Sequence, residues 1–363
     1  MAMKRPIIVL TGGGTAGHVS VNEALIPVFS EKGYEIHYIG SHDGIEKELI
    51  EDGHPDVVYH AIQSGKLRRY FSMKNFTDPF KVGAGVLQAY TIIRKLKPEI
   101  IFSKGGFVSV PVVLAAKMAK IPVVVHESDV TPGLANKLAL PFSKHIFTVF
   151  EKTLNYVPEG KATCSGAIIR PELFNGVREE GLRIAGVSGD KPVLMVMGGS
   201  QGSAVLNEAI RADLSTILQA YDLIHLCGKG NIDETLESTP GYTQFEYVTE
   251  GLPHLLAAAD FAVSRAGSNA IFELLAVHKP MLLIPLSAAK SRGDQILNAS
   301  HFQSLGLAHV LQEEDINRQP ISEAFAALMQ DQAQLLANMK KTPRSKTPEE
   351  MVKMIMSYRN SLE

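Results

Sequence analysis

Two glycine-rich turns, each behind a short apolar run, carry the residues of this chain best suited to hold phosphate. The first is Gly12-Gly13-Gly14-Thr15-Ala16-Gly17-His18 after Pro6 to Leu10, and the second is Gly198-Gly199-Ser200-Gln201-Gly202-Ser203 after Pro192 to Met197. Glycines let the backbone turn sharply and approach a ligand closely, and a helix starting behind the turn points unpaired N–H groups at an anion. His18 sets a base beside the first turn, which suits group transfer; a capping or packing role is the alternative that the residue alone leaves open.

Further polar segments begin where other apolar runs end. Ser103-Lys104-Gly105-Gly106-Phe107 is a third glycine turn, and His126-Glu127-Ser128-Asp129 leads through Pro132-Gly133 to Asn136. In the second half, Arg265-Ala266-Gly267-Ser268-Asn269 precedes Glu273, which falls one to two turns into a helix. A carboxylate there suits both hydroxyls of a ribose, although a lone helix glutamate is more often a solvated charge. Ser291-Arg292-Gly293-Asp294-Gln295 either reads sugar hydroxyls or caps a helix at Asp294.

The elements that must position these residues are short strands alternating with helix-like segments. Strand candidates in the first half are Ile7 to Thr11, Ile36 to Ile39, Val57 to His60, Ile100 to Ser103, Pro122 to His126 and His145 to Thr148. In the second half they are Val193 to Met197, Leu223 to Cys227, Phe245 to Val248, Phe261 to Ser264, Met281 to Pro285 and Ala308 to Leu311. Unalternating Val, Ile and Leu runs predict strands covered on both faces, hence two open α/β sheets with ligands at the strands' C-terminal ends. Gly12, Gly14 and Gly17 also fit a dinucleotide fingerprint. That reading wants an acid closing the second strand, where the chain has Gly40-Ser41-His42. The predicted division is a first domain over 1–165, a second over 166–342, and a final helix over 343–363 that packs back on the first, introduced by Thr347-Pro348-Glu349-Glu350.

Composition bounds the function. With 363 residues, 45% hydrophobic and 20% charged, the chain can bury two cores. Cys164 and Cys227 fall in different halves, so neither a disulfide framework nor a thiolate metal cluster is expected. A formal net charge of −2 argues against nucleic acid as a partner. No signal peptide is expected, because only five apolar residues stand between Arg5 and the glycines, and no spanning helix, because Lys117 and Lys120 interrupt the long apolar stretch from Val108 to Val125.

In order, the Gly13 to His18 turn, Gly105 to Pro111, His126-Glu127, Gly198 to Gly202, Arg265 to Glu273 and Asp294-Gln295 through Asn298-Ala299 resemble one family. It is that of the bacterial peptidoglycan glycosyltransferases of the MurG type, the undecaprenyl-diphospho-muramoylpentapeptide β-N-acetylglucosaminyltransferases, matched from residue 7 to residue 311. The resemblance implies the GT-B arrangement, two Rossmann-like parallel-sheet domains facing a cleft. It implies UDP-N-acetylglucosamine (UDP-GlcNAc) as donor, held mainly by the second domain, a lipid-diphosphate-linked muramoyl-peptide as acceptor on the first, and no cofactor. Carried over by position, Ser200 and Gln201 meet the donor diphosphate, Glu273 the ribose, and Asp294 and Gln295 the GlcNAc hydroxyls, with Val248 a further substrate-binding residue. Arg170 matches the arginine after the domain-linking loop, Thr15, Ala16, Gly17 and His18 line the reaction centre, and Asp129 belongs to the acceptor side. Ala16, Phe107, Asp129 and Ala167 depart from the usual glycine, tyrosine, asparagine and asparagine.

The implied chemistry is inverting displacement at an anomeric carbon, with His18 the first candidate for the base and Glu127 the second. The chain has no Asp-x-Asp pair, so a carboxylate-bridged metal at the diphosphate is not signalled; glycine-turn N–H groups and Arg170 are expected to stabilise the leaving group. Leu67, Tyr70 and Phe71 stand at i, i+3, i+4 with Arg68 and Arg69 among them. The pattern suits insertion into an anionic membrane surface, or else a core-facing stripe. The expected location is peripheral, on the cytoplasmic side of the cell membrane. A diacylglycerol glycosyltransferase of the same fold, a UDP-GlcNAc 2-epimerase-like enzyme and a non-catalytic nucleotide-sugar scaffold are the alternatives.

Overall fold

The computed structural model describes residues 5–65, 74–199, 201–289 and 291–359, with the backbone alone over 74–79. Ser200 and the segment Leu67, Arg68, Arg69, Tyr70 and Phe71 lie outside the described residues. The chain forms two compact units, Met1–Ile168 with Lys346–Glu363, and Ile169–Ser345. The crossing points lie three residues beyond those expected at both junctions. Ile168 forms a parallel bridge with Lys346, whose N–H donates to Ala167, so the outgoing and returning chain are paired.

The first unit holds strands β1 (Ile7–Thr11), β2 (Glu35–Ser41), β3 (Val58–Ile62), β4 (Ile100–Ser103), β5 (Val123–Glu127), β6 (His145–Thr148) and β7 (Ala162–Cys164). They form one parallel sheet in the order β3-β2-β1-β4-β5-β6-β7, with Ile8 opposite Ile36 on one side and Ile100 on the other. One face packs Leu10, Phe102 and Val124 against Leu25 and Phe29 of the helix Ala16–Glu31. To that core the last helix, Pro348–Met356, adds Met351, Val352 and Ile355. This helix starts on a capping box, Thr347 with Glu350, with Pro348 at the position where its missing N–H costs nothing. The other face packs Val9, Ile101 and Val125 against Val112, Val113 and Ala116 of the helix Ser109–Ala119.

The second unit holds β8 (Val193–Met197), β9 (Asp222–Leu226), β10 (Tyr242–Phe245), β11 (Phe261–Ser264), β12 (Met281–Leu283) and β13 (His309–Val310), in the parallel order β10-β9-β8-β11-β12-β13. Two expectations fail locally. The strand expected at Phe245 to Val248 lies at Tyr242–Phe245, because Tyr242 is buried and pairs with Leu223 while Glu246 turns to accept from the Gly230 N–H. Strand β7 carries no apolar run and is half to fully exposed, which hid it. In both sheets the strand order reverses at the first strand of the unit, between β1 and β4 and between β8 and β11. Chain connections diverge there and leave a crevice at the strands' C-terminal ends.

Candidate active site

In the first unit the turns after β1 and β4 meet at that crevice. The Gly13 N–H donates to the Gly105 carbonyl at 3.3 Å. A Cβ on Gly106, whose φ is +83°, would fall 2.2 Å from the Gly13 oxygen, so only glycine permits this approach. Tyr38 on β2 donates to the Gly12 carbonyl at 2.7 Å, and Asn22 donates to Thr11 and to the Tyr38 hydroxyl. The first turn also differs from an open anion cradle: the Gly14 N–H already donates to the buried Glu46 carboxylate at 3.0 Å.

Thr15 precedes the helix Ala16–Glu31, and Ala16, Gly17 and His18 form its exposed to half-buried first turn. His18 Nδ1 lies 2.9 Å from the Gly13 carbonyl and 3.2 Å from Thr15 Oγ1. A carbonyl only accepts, so Nδ1 carries the proton and Nε2 is the basic nitrogen of the ring.

Glu127, at the end of β5, is buried and has both oxygens engaged. Oε1 accepts the Asp129 N–H at 3.0 Å, and Oε2 accepts the Gly133 N–H at 2.9 Å and Asn136 Nδ2 at 2.8 Å. Burial and the neighbouring Asp129 push its carboxyl up. These bonds shape the 128–133 loop, which also holds Asp129 through its carbonyl and Thr153. Lys104, after β4, is buried with Nζ donating to Ser128; burial pulls its ammonium down while Glu127 and Asp129 favour the charge. His126 is buried with no hydrogen-bond partner for either ring nitrogen among the described residues, and burial and Lys104 hold it well below the usual histidine range.

In the second unit the turns after β8 and β11 are joined by Arg265. Its Nη2 donates to Ser203 Oγ at 2.5 Å and pairs with the buried Glu313, and its Nη1 donates to the Ile284 carbonyl at 3.1 Å. Ser203 in turn caps the helix Ala204–Ala212 by accepting the Leu206 N–H. Beneath the turn, His225 is held between the Tyr242 hydroxyl at 2.8 Å and Asn207 Oδ1 at 3.0 Å, and Asn207 Nδ2 donates to the Cys227 carbonyl. Burial pushes the His225 imidazole down to about 3.

Glu273 lies in the helix Ser268–Ala276 with Arg170 Nη2 4.0 Å from its carboxylate. Burial raises its carboxyl and Arg170 opposes the shift. In the helix Asp294–Ser304, Asp294 pairs with Arg292 at 3.1 Å and Gln295 Oε1 accepts the Leu286 N–H at 3.0 Å. Gln201 is exposed in its turn, and half-buried Val248 lies beyond the end of β10. Reading the sequence missed Glu46 and Glu313 and gave Lys104 no role. Glu46 and Glu313 are single charges with no motif around them, and only their burial marks them; Lys104 stands in the third glycine turn, but nothing in the sequence shows that its ammonium is buried. No group of three or more His, Cys, Asp or Glu side chains among the described residues is placed to hold a metal ion.

Residues 8–148 match the glycosyltransferase family 28 N-terminal domain, and residues 193–354 match the glycosyltransferase family 28 C-terminal domain. A Geobacillus kaustophilus protein named "UDP-N-acetylglucosamine--N-acetylmuramyl-(pentapeptide) pyrophosphoryl-undecaprenol N-acetylglucosamine transferase" is 56% identical over 343 residues, 94% of this chain and 95% of that one. A Geobacillus thermodenitrificans protein of the same name is 53% identical over 97% of this chain and 99% of its own length. The crystal structure of Acinetobacter baumannii MurG is alike in fold, with a TM-score of 0.76 at 21% identity, covering 98% of this chain and 100% of that one. By sequence and by fold, the chain belongs to glycosyltransferase family 28 and, within it, to the family of these N-acetylglucosamine transferases.

Proposed function

We propose that this chain transfers N-acetylglucosamine from UDP-GlcNAc to an undecaprenyl-diphosphate-linked N-acetylmuramoyl-pentapeptide, inverting the anomeric centre, with His18 as general base. A sugar hydroxyl of the acceptor attacks the anomeric carbon as the bond from that carbon to the diphosphate oxygen breaks. UDP leaves with the bonding pair, and the hydroxyl proton passes to Nε2 of His18. The observation that carries the base assignment is the 2.9 Å bond between His18 Nδ1 and the Gly13 carbonyl, which makes Nε2 the basic nitrogen. Glu127, with both oxygens engaged, serves instead to position the loop that bears Asp129.

In the first unit, Thr15, Ala16 and Gly17 border the reacting hydroxyl and Asp129 contributes to acceptor binding. In the second, Ser200, Gln201 and the N–H groups of their turn hold the donor diphosphate, Arg170 offsets the charge that develops on it, and no metal or other cofactor is called for. Glu273 accepts the ribose hydroxyls, and Val248 borders the nucleoside. Asp294 and Gln295 read the GlcNAc hydroxyls, with the Gln295 amide held in place by the Leu286 N–H on its oxygen. Leu67, Tyr70 and Phe71 insert into the cytoplasmic leaflet while Arg68 and Arg69 meet anionic headgroups, giving a peripheral membrane enzyme that takes no nucleic acid partner. Among the described residues no helix is long and apolar enough to cross a membrane.

A UDP-release assay with UDP-GlcNAc, with and without lipid-linked acceptor, tests the reading: release should require the acceptor. An acceptor-independent conversion of UDP-GlcNAc would instead support the epimerase-like alternative. His18→Ala should lower kcat by about a hundred- to ten-thousand-fold with donor binding little changed. His18→Asn keeps a hydrogen-bonding side chain without a useful base and should be equally poor. An asparagine variant as fast as wild type would return His18 to a structural cap.

A further inference from the structure

The Gly13–Gly14 peptide group is gripped at both ends. Its N–H, on Gly14, donates to Glu46 Oε2 at 3.0 Å, and its C=O, on Gly13, accepts from His18 Nδ1 at 2.9 Å. Glu46 lies in the first turn of the helix Ile45–Gly53 and is 1% exposed. Its second oxygen is held by the Ser41 N–H at 3.1 Å and the Ser41 hydroxyl at 2.5 Å, so the carboxylate is fixed from β2 as well as from the turn. Contact is close: a Cβ on Gly13 would fall 2.4 Å from the Glu46 carboxyl carbon.

We propose that Glu46 is a positioning residue for His18, acting through the Gly13–Gly14 peptide. This rests on the reading of His18 as the base. A carboxylate bonded to an amide N–H draws the N–H toward it and raises the electron density on the carbonyl oxygen, since hydrogen bonds in series polarise one another. The carbonyl then holds the Nδ1 proton more firmly, which fixes the ring's tautomer and orientation and makes Nε2 more basic. The logic is that of an acid–histidine pair in which the acid stabilises the imidazolium, here with one peptide group interposed.

The anion is supplied by the chain itself, so the turn is set before any substrate arrives. The other titratable groups around it do not compete for the role. Tyr38 and Tyr59 are kept neutral by burial, with Glu46 raising both further, and their hydroxyls donate to Gly12 and Ser41 carbonyls. Lys104 packs its Cβ side against Gly12 and directs its ammonium to Ser128, and Glu23 acts on Tyr38 from the helix Ala16–Glu31.

The test is the imidazole pKa of His18, followed by NMR in the full chain labelled with 15N-histidine. In Glu46→Gln it should fall by about 1 unit, the lower end of the effect of a nearby opposite charge. The kcat should fall about tenfold or more, below the contribution of the base itself, with the UDP-GlcNAc KM unchanged. Because the effect runs through His18, Glu46→Gln should cost little more in a His18→Ala background. Glu46→Asp, which keeps the charge but shortens the reach to Gly14, should give the same pattern in smaller measure and serves where the glutamine variant does not fold. An unshifted His18 pKa, or a loss that recurs in full in the His18→Ala background, overturns the proposal. If His18→Ala itself turns over like wild type, the base reading fails, and the NMR shift still decides whether Glu46 acts on His18.

Discussion

Removing the cation that joins the turns after β8 and β11 should destabilise the second unit and, on the proposed donor role of those turns, weaken donor binding. Arg265 and Glu313 are 8% and 6% exposed, and the guanidinium also serves Ser203 and the Ile284 carbonyl. Arg265→Met keeps the length of the side chain and removes the charge that faces the buried Glu313 carboxylate. Breaking a buried pair by removing one partner costs about 3 to 5 kcal/mol, a large share of the roughly 5 to 15 kcal/mol that holds an ordinary domain together. The chain has no tryptophan, so urea unfolding at pH 7 is best followed by far-UV circular dichroism. Losing the bond to Ser203 should loosen the Gly198–Ser203 turn and raise the UDP-GlcNAc KM. Replacing both charges, as Arg265→Met with Glu313→Leu, should recover most of the stability, because two well-packed apolar groups need no desolvated partner. A cost below about 1 kcal/mol for the single change, or a double variant no more stable than the single, would refute the reasoning.

Glu273→Ala should raise the UDP-GlcNAc KM by about ten- to a hundredfold, the equivalent of roughly 1.5 to 3 kcal/mol for a hydrogen bond to a charged acceptor, and blunt discrimination against a 2′-deoxy donor. Unchanged donor kinetics would make Glu273 a bystander. Burial raises the Glu273 carboxyl, so wild-type donor affinity should fall on acidification at a pH above the ordinary glutamate range, and Glu273→Ala should lack that limb. His225 is pulled down to about 3 in the folded chain, below its unfolded value near 6.5, so its contribution is fully present above pH 6.5 and is lost as pH falls toward 3. By pH 5 this amounts to about 2 kcal/mol, and a His225→Gln variant whose urea midpoint keeps the full wild-type pH dependence would contradict it. In flotation assays, Arg68→Glu with Arg69→Glu should bind anionic vesicles more weakly, each cation contributing about 1 kcal/mol near the surface; equal flotation would remove the segment from the membrane argument.

The apolar runs that became β1, β4, β6, β8 and β11 are legible in the sequence with their observed ends, because a strand covered on both faces must be apolar at successive positions. The register of β10 and the existence of β7 are not, since both depend on a neighbouring strand for their pairing rather than on an apolar run of their own. The glycine turns, His18 and Glu273 stand out as candidates by residue type and by following strand ends. What the sequence cannot announce is that Gly14 meets a carboxylate 32 residues away, or that Ser203 and Glu313 converge on Arg265 across 62 and 48 positions. A lone glutamate reads as a solvated surface charge, and only parallel pairing, which brings the end of β2 beside the turn after β1 and β11 beside β8, buries such a charge next to the donors that make burial tolerable.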